Sequence, residues 1–156
     1  MEYNLQTLLG DEGKYRSLDF TLGHNYPCNT VERRFQDACY YEQPQWWQAL
    51  YTDEWSNEEK REEMFRKIGM WCQEVGTTIL QERCYKGIGN NAPPVAKWDR
   101  EEVIRICKSM PNIDADINCL ASAAGVFFNQ DHSWNMCNGI SEDYYKRCVD
   151  IAKSPR

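Results

Sequence analysis

Several absences narrow what this chain can do. No stretch approaches the roughly 20 consecutive apolar residues of a membrane-spanning helix, so no membrane insertion is expected. No C-x-x-C occurs, and there are only two histidines, His24 and His132. The short ligand spacings of zinc and iron–sulfur sites are therefore missing, as is the C-x-x-C-H of a c-type haem. No metal and no cofactor is expected. No G-x-S-x-G marks a serine nucleophile. The one glycine-rich stretch, "GIGNN" (Gly87 to Asn91), follows a cysteine and a helix rather than a strand. It has no lysine in Walker A spacing, and reads as a helix stop.

Basic runs are absent too. The net charge is −6, and Lys and Arg alternate with acids in "KREEMFRK" and "DREEVIR", as on a solvated helix face. No nucleic acid partner is expected, because such binding rests on cations neutralising phosphates. Period-2 runs and Asn-Gly hairpin signals are scarce, which points to an all-α fold. The opening "MEYNLQTLLGDEGKYRS" is polar and acidic and holds no apolar signal-peptide core. An exported chain would thus have lost its signal.

What is abundant is cysteine: eight in 156 residues, enough chain for a single domain with a real core. All eight fall in four like-spaced pairs, "CNTVERRFQDAC" (Cys28, Cys39), "CQEVGTTILQERC" (Cys72, Cys84), "CKSMPNIDADINC" (Cys107, Cys119) and "CNGISEDYYKRC" (Cys137, Cys148). An even count in paired spacing points to disulfides and an oxidising compartment. The residue after each second cysteine is apolar or aromatic (Tyr40, Tyr85, Leu120, Val149), and amphipathic stretches such as "EEKREEMFRKIGMWC" lead into the first. This is an internal repeat of helix, Cys, turn, Cys, helix, with a period in the range of helical-hairpin arrays. The units run over about 18–55, 56–92, 97–130 and 131–153.

Cysteines 11 or 12 apart on one straight helix would stand about 16–18 Å apart, whereas a disulfide needs Cα atoms within about 7 Å. Either each pair closes over a turn, or straight helices bond to partner helices as in twin C-x9-C hairpins. Pro111, Gly139 and Gly76 put a turn inside three intervals. Pro27 and an Asn29 or Thr30 cap serve the first, the weakest of the four. The expected bridges are Cys28–Cys39, Cys72–Cys84, Cys107–Cys119 and Cys137–Cys148, each stapling one αα-hairpin. The expected fold is a stack of such hairpins, a short tetratricopeptide-like solenoid. Helix starts are expected at Ser56 (with Glu59), Thr78 (with Gln81), Asp99 (with Glu102) and Ser141. "GIGNNAPPVAKWD", with Pro93-Pro94, reads as the clearest connection.

Candidate chemistry is sparse. His132, in "NQDHSWN", forms no triad with its chain neighbours, and His24, in "LGHNYP", reads as a packed or capping residue. "DADIN" (Asp114 to Asn118) lacks the Gly and Glu of a calcium loop and reads as an acidic helix start. The aromatic run "CYYEQPQWWQALYTDEW" is the main binding candidate, through Tyr40, Tyr41, Trp46, Trp47 and Trp55. Trp47, Leu50 and Tyr51 also fit a core stripe, and Trp46 and Trp55 are expected at the surface.

The units "CNTVERRFQDACYYEQ" and "CQEVGTTILQERCYKGIG" resemble those of uncharacterised, exported bacterial cysteine-rich helical-repeat proteins, which read roughly "A…C…L…R…C-Y-x-G-x-G". Relatives carry an "HGxGH" segment, of which only "LGH" (Leu22 to His24) stands here. The likeness spans about residues 18–152 and implies export but no assigned activity. The expected function is a non-catalytic, extracytoplasmic binding or assembly module (periplasmic, cell-surface or secreted) whose partner is a protein, peptide or glycan. The alternatives are a metal-dependent or hydrolytic enzyme using His24 and His132, and a self-assembling filament or surface-layer subunit.

Overall fold

The computed structural model describes residues 23–49, 51 and 55–154. Leu22, Leu50 and the start of the first unit lie outside them. The described residues form six α-helices, a 3-10 turn and no strand: α1 (Arg33–Ala49), α2 (Glu58–Gln73), α3 (Thr78–Val95), α4 (Arg100–Lys108), α5 (Ile113–Asp131), the 3-10 turn Asn135–Gly139 and α6 (Glu142–Lys153).

Every cysteine closes on its partner across its own interval, giving Cys28–Cys39, Cys72–Cys84, Cys107–Cys119 and Cys137–Cys148. Their Cα separations of 5.3–5.7 Å are those of an ordinary disulfide. The local turns permit this. Gly76 sits between α2 and α3, Pro111 between α4 and α5, and Gly139 ends the 3-10 turn ahead of α6. In the first interval Thr30 Oγ1 donates to the Pro27 carbonyl, and α1 starts only at Arg33. The fold is the expected one, a row of disulfide-stapled helical hairpins.

The hairpins stack in two layers. The second arms (α1, α3, α5, α6) form one row and the first arms (α2, α4 and the 3-10 turn) the other. Asp37 meets Arg83 and Tyr41 meets Gly87, so a four-residue step along α1 matches a four-residue step along α3, and the two helices run parallel. In the other row Arg61 meets Glu102 and Gly69 meets Met110, which makes α2 and α4 parallel as well. Between the layers lie Phe65, Ile68, Ile88, Val103, Ile106, Ile117, Leu120 and Phe127, all at most 1% exposed. The disulfides belong to this core, and Tyr40, Tyr85, Leu120 and Val149, each following a second cysteine, are buried in every unit.

Caps sit close to their expected places. Asp99 accepts from the Glu101 and Glu102 amides, as its sequence position implies. Asn57 rather than Ser56 caps α2, and Thr77 rather than Thr78 caps α3, each a one-residue shift. Ser141 precedes α6 without a side-chain cap bond.

"GIGNNAPPV" differs from its reading as a connection: it is the second half of α3. The prolines fall in the last turn, where the break they make in the N–H ladder ends the helix rather than interrupting its middle. The Ala96 and Trp98 amides then close the end on Ala92 and Pro93 carbonyls. Lys97 and Trp98 take φ of 52° and 66°, a left-handed pair that costs about 1 kcal/mol or more per non-glycine residue. Nor do the glycines stop the helix. Both are buried in it, and a methyl on Gly87 would overlap the Tyr41 carbonyl of α1, while one on Gly89 would overlap the Cys119 carbonyl of α5. They let α3 lie backbone-close to a neighbour on each side.

One buried ion pair ties the first arms together. Arg61 Nε and Nη2 donate to Glu102 Oε1 and Oε2 at 2.6 and 2.8 Å, with the side chains 6% and 3% exposed. Arg61 Nη1 also donates to the Trp55 carbonyl. At the surface alongside, Arg105 pairs with Glu58 and Glu62.

Gly89→Ala should lower stability to chemical denaturation by about 1–3 kcal/mol through overpacking. Gly76→Ala, with nothing within 4 Å of the added methyl, should change it by under about 0.5 kcal/mol. Equal effects would contradict the close-packing role. Glu102→Gln should cost about 3–5 kcal/mol by stranding the Arg61 charge, and the double change Arg61→Met with Glu102→Leu should recover most of it.

Candidate functional site

The parallel second arms leave a shallow groove on their side of the molecule. Its empty volume is about 360 Å³, counting space open to solvent. No residue of α2 or α4 lines it, so it lies on the face of the row that the first arms leave uncovered. The floor is α5, where Ala121, Ser122 and Gly125 present almost no side chain. One wall is Tyr41 of α1 with Arg83 and Lys86 of α3, which share a helix face at i, i+3. The other is Ile151, Ala152 and Ser154 at the end of α6.

The groove's charge is one-sided: two cations and no carboxylate line it. Arg83 Nε donates to Asp37 of α1 at 2.8 Å. Lys86 is half-buried, and among the described residues no carboxylate lies within ion-pairing distance of its ammonium. Burial, and then the Arg83 charge, push the Lys86 pKa below its ordinary value, with Glu82 and Asp37 opposing.

The aromatic run does not form one surface. Tyr40 and Trp47 are core residues, 3% and 2% exposed. Trp47 Nε1 donates to the His24 carbonyl, and its ring meets Trp71 edge-on. Trp46 is half-buried against the small cluster of Cys28, Cys39, Tyr40 and Val75 rather than exposed, and Tyr41 lines the groove. Trp55 alone of the five is exposed, at 36%. An exposed tryptophan outside that run, Trp98 (46%), stands at the end of α3 with its ring edge-on to Phe127.

His24 stacks on Trp71 at 4.3 Å, and its Nδ1 lies 3.3 Å from Glu74. His132 is the exposed left-handed C-cap of α5, edge-on to Phe128. The two imidazoles thus serve separate aromatic contacts. Among the described residues no group of three or more His, Cys, Asp or Glu is placed to share a metal ion. "DADIN" is the first turn of α5 behind the Asn112 cap, an acidic helix start as read from sequence.

Lys86, Arg83 and the α5 floor were not singled out from the sequence. The available signal was the run of small residues after Cys119, "LASAAG", beside a basic residue on each side of Cys84. No family model, curated protein or solved structure matches this chain. The resemblance to exported cysteine-rich repeat proteins therefore rests on the cysteine and glycine spacing alone.

Asp116, in the "DADIN" turn, supplies a pH test. Burial raises its carboxyl to about 6, against the lowering effects of Lys108 and a Met110 backbone hydrogen bond. A raised carboxyl favours the protonated folded state, so its stabilising contribution is full below about pH 4 and lost as pH rises through about 6. Asp116→Asn should therefore raise stability at pH 7 by about 1 kcal/mol, discounted for partial exposure, and by nothing at pH 3. Thermal melts of both proteins across pH 3–8 would show the difference opening between pH 4 and 6; a constant difference would contradict it.

Proposed function

We propose that this chain is a non-catalytic binding module of an extracytoplasmic protein, periplasmic, cell-surface or secreted, and that its groove receives an extended peptide segment of a partner protein. The observation that carries this reading is the uncovered groove across four second arms, floored by residues too small to fill it. A floor of Ser122 and Gly125, with Ala121 buried beneath it, lets a partner's backbone approach α5 closely, and parallel repeats offer it side chains at regular intervals. The compartment is supported by four disulfides and the absence of free cysteine among the described residues, since such bridges persist where thiols are not kept reduced. Among the described residues no helix is long and apolar enough to cross a membrane.

A second reading, a glycan partner, is favoured by the exposed rings of Trp55 and Trp98, which offer flat apolar faces of the kind that sugar rings stack on.

Selection of a random displayed-peptide library separates the two readings. The native chain should enrich peptides, and Gly125→Gln, which puts a side chain over the floor, should reduce recovery at least tenfold with the circular dichroism and melting temperature unchanged. Equal recovery from both would overturn the groove reading. On a glycan array, binding lost in the pair Trp55→Ala, Trp98→Ala but kept in Gly125→Gln would replace it with the second.

A further inference from the structure

Charge decides what kind of segment the groove suits. We infer that the groove selects an acidic peptide, with an Asp or Glu side chain of the partner seated between Lys86 and Arg83 and the partner's backbone laid along Ser122 and Gly125. This rests on the peptide-groove reading above and adds the chemical class of the occupant.

The inference comes from an imbalance in the wall. The chain as a whole carries −6, yet the groove is lined by two cations and no carboxylate. Arg83 spends its Nε–H on Asp37. A guanidinium has five N–H donors in a fixed fork, so the Nη groups stay available to a second carboxylate. Lys86 has no such internal partner among the described residues. It stands three residues from Arg83, on the same face of α3.

Burial, and after it the neighbouring Arg83 charge, disfavours the protonated Lys86. A carboxylate bridging them would offset both effects at once. A neutral or basic segment would leave Lys86 unpartnered, and Arg83 held by Asp37 alone, in a space it had partly dried. Ser122 adds a polar hydroxyl group to the same stretch, while the α6 wall, Ile151 and Ala152, is apolar. The occupant thus has acid toward α3 and a small apolar side chain toward α6.

Sequencing the peptides selected above gives the first readout: Asp and Glu should be enriched in the native pool and lose that enrichment in the Lys86→Met pool. The second readout is fluorescence anisotropy with labelled, C-terminally amidated (Gly-Glu-Ala)4. The native chain should bind it at least tenfold more tightly than (Gly-Gln-Ala)4. Lys86→Met should abolish that preference, and Lys86→Arg should keep it. Because Lys86 is only half-buried, unchanged melting temperatures will show that these variants are folded.

Acid-rich pools from native and Lys86→Met alike would overturn the inference. So would a free C-terminal carboxylate on (Gly-Gln-Ala)4 restoring full affinity, since the terminus would then be the ligand. Tighter binding of a sulfated glycan, lost in Lys86→Met, would replace the peptide with an anionic polysaccharide. Peptides selected without acid enrichment, but lost in Gly125→Gln, would sink this inference and leave the binding-module reading standing. No selected peptides at all would sink both.

Discussion

Closure of each cysteine pair within its own interval is the constraint on which the rest of the structure depends. A bridge over a loop of about a dozen residues is worth roughly 3 kcal/mol in the chain-entropy account, a large fraction of a domain's net stability. Here the bridges also set geometry. Each one fixes the turn between two helices, so every unit presents its second arm in the same sense, and the second arms can then run parallel in one row. The sulfurs lie in the core rather than on its edge, which makes each staple part of the packing as well as a tether.

The second level of organisation is how near the helices come. Gly87 and Gly89 remove the Cβ atoms that would hold α3 away from α1 and α5. The small residues of α5 have a related effect on its open face, where they become the floor of the groove. Smallness after the second cysteine thus serves close packing in one unit and an empty surface in the next. In the other row the buried Arg61–Glu102 pair sets the register between α2 and α4. A pair so placed resists sliding because any shift would leave a charge unpaired in the interior.

Much of this was legible from the chain alone, because disulfide reach and turn residues are local properties. Pro111, Gly76 and Gly139 sit inside the intervals, and their effect on the backbone does not depend on what packs around them. The residue following each second cysteine is apolar or aromatic in every unit, and all four are buried, Tyr40 among them although its sequence context placed it with the binding candidates. "GIGNNAPPV" was misread for the opposite reason. Glycine and proline are poor helix formers by propensity, but tertiary packing on both sides of α3 outweighed that preference. The aromatic run was split for a similar reason. Tyr40 and Trp47 point into the core while Trp55 does not, and a run of rings in sequence does not say which neighbours will cover them.

The sequence by itself determined the all-helical class, the four local bridges and the hairpin unit, since each follows from spacing, turn chemistry and the short reach of a disulfide. Only the tertiary structure decided which face of the row stayed open, that Lys86 and Arg83 stand on it with no lining carboxylate, and that the glycines of α3 are contact points rather than a stop. Those features depend on where parallel helices from different units meet, and the distance between such helices is set by side chains far apart in the chain.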